Sequence, residues 1–165
     1  MFPQFRTILV PTDFSQASEH ALAHAQALAR SFGGSLHLLH VVPDPVLASA
    51  WSEAYAYDLT TLGERLRAEA QQQLAERAGA IGDVPVTTEA LVGSPAALIA
   101  LTAAERGVDL IVMGTHGRGG LTHFFMGSVA ERIVRSAPCP VLTVRGPSVV
   151  RAAWVLARPE HIVHA

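Results

Sequence analysis

Five short, largely apolar runs, at residues 6–10, 36–42, 84–91, 110–113 and 140–144, alternate along the chain with stretches whose apolar residues recur every three or four positions. A run such as Leu110-Ile111-Val112-Met113 offers no polar face, so as a strand it must be covered on both sides. The intervening stretches supply the cover. Ala17, Ala21, Leu22, Ala25, Leu28 and Ala29 form one helical stripe between Ser15 and Phe32, stopped by Gly33-Gly34. Leu59, Leu62, Leu66, Ala70, Leu74 and Ala78 form a second and longer one. Ser94-Pro95 starts a third helix, with a capping hydroxyl and proline in the first turn, that runs to Arg106. Ser128-Val129-Ala130-Glu131 has the capping-box pattern and opens a fourth that runs through Arg135. The order β-α-β-α-β-α-β-α-β predicts a single doubly wound α/β domain with a parallel sheet and right-handed crossovers.

Composition narrows the function. At 165 residues, half of them hydrophobic, the chain can bury a full core without staples. Cys139 is the sole cysteine, so no internal disulfide forms, which fits a reducing compartment. The N-terminus does not read as a signal peptide, and the longest apolar stretch, 95–104, falls far short of the ~20 residues of a membrane helix. These features predict a soluble, cytoplasmic protein with no membrane contact. The net charge is −2 and all twelve basic residues are arginine, scattered and often beside glutamate. A duplex-binding surface needs a concentrated positive footprint, so nucleic acid is not an expected partner. The missing lysine also excludes a Walker A loop.

In open α/β sheets, ligands sit beyond the carboxyl ends of strands, where the strand order reverses. Two polar segments follow strand ends here. Pro11-Thr12-Asp13 closes the first strand, and Gly114-Thr115-His116-Gly117-Arg118-Gly119-Gly120 follows the fourth, with Gly127-Ser128 at the next helix start. Glycines allow close backbone approach, and a helix N-terminus presents unpaired N–H groups with about half a positive charge, a combination that favours phosphate. Ser128 adds a hydroxyl and Arg118 a charged fork. The composition alone leaves a second reading open: a glycine-rich turn that only caps the helix.

The spacing Gly114-x2-Gly117-x9-Gly127-Ser128 resembles the ATP-binding signature of the universal stress protein family. The resemblance extends to the segment from Ile8 to Ser15, the strand His37 to Val42, and the segment from Ala130 to Leu142, covering roughly residues 5–145 in order. It implies a five-stranded parallel sheet of order 3-2-1-4-5, similar to the adenine nucleotide alpha hydrolases, with the first and fourth strands side by side. It implies ATP or another adenine nucleotide as ligand, with Mg²⁺. Pro11 ends the first strand at this site. Thr12 and Asp13 would meet the ribose or a metal-bridged phosphate, so Asp13 is the candidate metal contact. Val41 would hold the adenine edge through its backbone. Gly114, Gly117, Arg118, Gly127 and Ser128 would surround the phosphates, with Met113 and Val129 packed around the nucleotide. The resemblance also implies a homodimer through the last strand, from Pro140 to Arg145, and leaves a tetramer of two dimers open. An exposed edge strand is itself a pairing template. The domain is thus placed at 1–145, with a C-terminal extension at 146–165 of undefined role.

Other readings compete at several positions. His116 serves phosphate or only the loop. Asp13 serves the ligand, caps the first helix, or both. His20 with His24, and His161 with His164, lack the supporting ligands of a metal site and read as solvated surface. His37 and His40 read as hydrogen-bonded core positions, and Cys139 as a small buried hydrophobe. Trp51, Tyr55 and Tyr57 either cover the site or pack on the second helix. A nucleotide-dependent signalling protein acting on an unidentified downstream protein is the leading expectation. Phosphoryl transfer would need a positioned base, for which Asp13 and His116 are the candidates, so hydrolysis slower than ~1 s⁻¹ is the most expected of it. The third alternative is a dimeric partner-binding module whose glycine loop holds no nucleotide.

Overall fold

The computed structural model describes residues 4–45, 56–115 and 127–146. Along these, β1 (Thr7–Pro11), α1 (Gln16–Phe32), β2 (Ser35–Pro43), α2 (Ala56–Ala80), β3 (Val86–Gly93), α3 (Pro95–Glu105), β4 (Leu110–Gly114), α4 (Ser128–Ser136) and β5 (Val141–Val144) follow in order. The strands form one sheet of order β3-β2-β1-β4-β5, and each neighbouring pair is parallel.

β1 lies at the centre, and Ile8, Leu9 and Val10 are fully buried. Successive side chains of a strand point to opposite faces. Ile8 and Val10 therefore join one core layer with Ala21, Ala25, Leu38 and Leu74, while Leu9 joins the other with Leu39, Ile99, Ile111 and Ile133. The alanine stripe of α1 lets that helix lie close to the sheet. Its start is fixed by Ser15, whose hydroxyl accepts from the Ser18 N–H, and its end by Gly33 in the left-handed region (φ 62°).

Three local expectations need correction. The long stripe on α2 is buried only at Ala70 and Leu74, whereas Leu62 and Leu66 are 41% and 38% exposed. The buried residue on this part of α2 is Gly63, where an added Cβ would lie 3.6 Å from Val92 of β3 and from Pro45, so glycine rather than leucine meets the sheet there. At α3, Ser94 occupies the N-cap but its hydroxyl makes no capping bond. At α4, the N-cap is Gly127 and Ser128 is already helical, so no capping box forms and no side chain caps the helix. Among the described residues, no helix is long and apolar enough to cross a membrane.

Candidate functional site

β1 and β4 are far apart in sequence but paired in the sheet, with Ile8 opposite Leu110 and Leu9 opposite Ile111. From β1 the chain passes to β2 on one side, and from β4 to β5 on the other. The segments leaving these two strands diverge, and a crevice opens between them. A cavity of about 810 Å³ occupies this position.

Pro11, Thr12, Asp13, Val41, Met113, Gly114, Gly127, Ser128 and Val129 all line it. The remaining candidates, His116, Gly117 and Arg118, lie outside the described residues, as do Trp51, Tyr55 and the tail from 147 onward; Tyr57 is described only in its backbone. Thr12 and Asp13 thus share one space with the described flanks of the glycine-rich segment, Gly114, Thr115, Gly127 and Ser128.

The wall after β1 is a hydrogen-bonded turn. The Phe14 N–H donates to Thr12 Oγ1 (3.0 Å), Thr12 Oγ1 donates to Ser18 Oγ (3.0 Å), and Ser18 Oγ donates to the Ser15 carbonyl (2.8 Å). The Asp13 carboxylate accepts from the Ser15 N–H at 3.1 Å. Asp13 therefore braces the residue that caps α1, rather than capping the helix itself, while lining the cavity. The Thr12 N–H donates to the Leu39 carbonyl (2.9 Å), tying the turn to β2.

Phe14 takes φ 64°, a left-handed conformation in a bulky residue, which costs of order 1–3 kcal/mol and persists only where the surroundings enforce it. Those surroundings are aromatic and cationic. The His40 ring stacks on one side of Phe14, with centroids 4.5 Å apart and planes 19° apart. The Arg77 guanidinium lies 4.5 Å from the Phe14 centroid and pairs with Glu19 at 2.6 Å.

The wall after β4 is held by backbone. Thr115 donates its N–H to the Val144 carbonyl (2.9 Å), and Gly127 donates its own to the Thr115 carbonyl (2.7 Å). The two flanks of the glycine-rich segment are thereby joined. Gly114 is favoured by packing: a Cβ there would lie 3.0 Å from the Ala17 carbonyl carbon and 3.1 Å from both its Cβ and oxygen. Gly127 has φ −59° and ψ 148°, which any residue can adopt. What glycine gives at this position is the absence of a side chain at the cavity wall. The first turn of α4 has no side-chain cap, and its acidic residue, Glu131, pairs with Arg135 at 3.0 Å. The first N–H groups of a helix have no partner within it, and they carry the positive end of its dipole.

Sequence reasoning did not single out Phe14, Glu69 or Gln73, which also line the cavity. Glu69 and Gln73 sit beside Ala70 and Leu74 in the apolar stripe of α2, at helical spacing, and that adjacency was the available signal. His40 was read only as a core residue. It is hydrogen-bonded, as expected, but it faces the cavity. His37 is 3% exposed, with its ring nitrogens 2.8 Å from Thr87 Oγ1 and 3.1 Å from Glu89 Oε2. Burial, and secondarily the Arg106 charge, push its pKa below the ordinary histidine value, although Glu89 opposes them. Cys139 is half-buried rather than buried, and desolvation pushes its thiol pKa up. His24 bonds the His20 carbonyl at 2.8 Å, and no group of three or more metal-ligating side chains occurs among the described residues.

Comparison with known proteins agrees with this architecture. The model of the universal stress protein family matches residues 4–145. A universal stress protein of Methanocaldococcus jannaschii, MJ0531, is 36% identical over 145 residues, covering 87% of this chain and 84% of the relative. The solved structure of the universal stress protein UspA from Lactobacillus plantarum superposes with a TM-score of 0.77 at 28% identity, covering 86% of this chain and 99% of that one. The fold also recurs, at a TM-score of 0.60 and 23% identity, in a universal stress protein solved in complex with cAMP, with 87% of this chain and 99% of that one covered.

Proposed function

Because the chain belongs to the universal stress protein family, we propose that it binds an adenine nucleotide, ATP in the first instance, in the cavity between β1 and β4. The observation that carries this reading is the convergence of Thr12 and Asp13 with Gly127 and the uncapped start of α4 on one space at the switch point. A cavity of about 810 Å³ is within the range of small-molecule sites, ~300–1,000 Å³. Val41 and Met113 give it an apolar side suited to a purine, and the α4 N-terminus gives it a phosphate-seeking side. The cAMP of the structure cited above belongs to that remote relative, but it is a ligand of the same chemical class.

Among the described residues, Asp13 has no cluster of further metal ligands beside it. A Mg²⁺ ion would therefore arrive on the nucleotide, which supplies most of its oxygens, with Asp13 as the protein contact. The ion would offset phosphate charge that a lysine-free loop cannot. Gly117 and Arg118 are assigned to the phosphates on the family pattern, and His116 by its place between them and Gly114. The bound state, rather than fast turnover, is the functional output, and it acts on a downstream protein in a stress response in the cytoplasm. Two copies pair along β5, an edge strand that carries the exposed side chain of Leu142.

The test is calorimetric titration of nucleotide-free protein with ATP, with and without Mg²⁺, on the wild type and on Gly127→Val. The wild type should bind about one ATP per chain. The variant, whose backbone angles suit valine, should keep the fold and lose binding because the side chain fills the cavity wall. Failure of the wild type to bind any adenine nucleotide would leave the partner-binding alternative, and normal affinity in Gly127→Val would refute the proposed phosphate position.

A further inference from the structure

Asp13 and Thr12 sit on a turn that is strained at Phe14 and lies outside the regular elements. One side chain from the neighbouring strand touches this turn twice. His40 Nδ1 lies 2.7 Å from the Thr12 carbonyl oxygen, and the His40 ring stacks on Phe14. A carbonyl oxygen only accepts, so Nδ1 carries the proton and donates. We propose that His40 is a positioning residue of the nucleotide site: its Nδ1–H and its ring together fix the turn that presents Asp13 to the cavity. The inference rests on the nucleotide-binding reading above and extends it to a residue outside the glycine loop.

The geometry favours this over a filling role. The Thr12 carbonyl belongs to the peptide that joins two residues lining the cavity, Thr12 and Asp13. Its peptide plane sets the direction of both. Thr12 N–H, in the preceding peptide, is anchored to Leu39 and Thr12 Oγ1 to Ser18, so the carbonyl is the part of Thr12 held by a side chain of β2. The stack works on the next residue. With Arg77 also over its ring, Phe14 is kept at a backbone angle that favours glycine when unsupported. His40 therefore links the adenine-side strand, which carries Val41, to the Asp13 turn.

The experiment separates the hydrogen bond from the ring. His40→Asn keeps an N–H donor close to the place of Nδ1 and loses the stack, whereas His40→Gln loses the stack and moves the donor farther out. Both remain polar and both are assayed for ATP affinity by calorimetry and for urea midpoint. His40→Gln should bind ATP about tenfold more weakly than the wild type, the upper end of what one hydrogen bond contributes. His40→Asn should recover several-fold of that loss. Both should show similar urea midpoints, since both lose the same ring. Equal affinity in the wild type and both variants would overturn the proposal while leaving the nucleotide reading intact. Affinity that merely tracks the urea midpoint in both variants would also overturn it, because a structural role predicts that pattern. A wild type that does not bind ATP refutes the nucleotide reading itself, and the positioning role falls with it.

Discussion

Gly114→Ala tests whether the site is shaped by helix packing as well as by ligand contact. The added methyl would meet the carbonyl carbon of Ala17 at 3.0 Å and its Cβ and oxygen at 3.1 Å. Two of those three atoms are backbone, so rotating a side chain gives no relief, and the start of α1 must move by a few tenths of an ångström. Overfilling a packed site by one methyl costs ~1–3 kcal/mol. Alanine also lowers the entropy of the unfolded chain, which returns ~0.4–1 kcal/mol where the backbone angles are compatible, and Gly114 is not among the positive-φ residues. The net expectation is a loss of about 1 kcal/mol, or a Tm roughly 2–4 °C lower for a domain of this size. Gly79→Ala is the control. It lies in α2 with nothing within 4 Å of the added methyl, so it should stabilise by about 0.5–1 kcal/mol through helix propensity alone. Adding Ala17→Gly to Gly114→Ala should relieve the contact only in part, since it removes one of the three close atoms. The shift of α1 moves the Ser15–Asp13 brace, so ATP affinity should fall along with stability. Urea denaturation and calorimetry of the four proteins measure both. A Gly114→Ala protein as stable as the wild type, or more so, would refute the packing argument.

Helix starts and one buried histidine give two further outcomes. Ser15→Ala should destabilise by about 1 kcal/mol because it removes a formed cap, whereas Ser94→Ala should stay within ~0.5 kcal/mol because Ser94 makes no capping bond; urea midpoints of the two variants decide. His37 takes up its proton at lower pH when folded than when unfolded, so between its depressed folded pKa and the unfolded value of ~6.5 the unfolded chain binds more protons and stability falls as pH falls. His37→Gln should flatten that share of the decline below pH 6.5, with Thr87, Glu89 and Arg106 as the groups facing the ring, and superimposable midpoint-against-pH curves for the two proteins would contradict it.

The elements of this protein are written locally. Strand and helix are distinguishable wherever the apolar period is clear over a run of neighbours, as in Leu110 to Met113 or along α1, and Gly33 and Pro43 mark ends because their own backbone preferences act within a residue or two. The two strand-end segments were legible for the same reason, as polar and glycine residues directly after apolar runs. The family resemblance added the strand order, which the pairing of β1 with β4 bears out.

What the tertiary structure decided concerns atoms brought together from distant positions. The stripe of α2 gave no sign that Leu62 and Leu66 would be exposed, because that depends on which residue of the helix meets β3, and there it is Gly63. Ser128 looked like a cap until the chain placed Gly127 there, with its N–H already committed to Thr115. Gly114 looked like a ligand glycine, yet the contact that favours glycine there is with Ala17, nearly a hundred positions earlier. His40 looked like a core histidine, and its bond to Thr12 and stack on Phe14 exist only because β2 lies beside β1. Sequence alone determined which segments are regular and which residue types stand at their ends, since those follow from short-range sterics and periodicity. Close packing of non-local surfaces then decided which of those residues face the cavity and what holds them there.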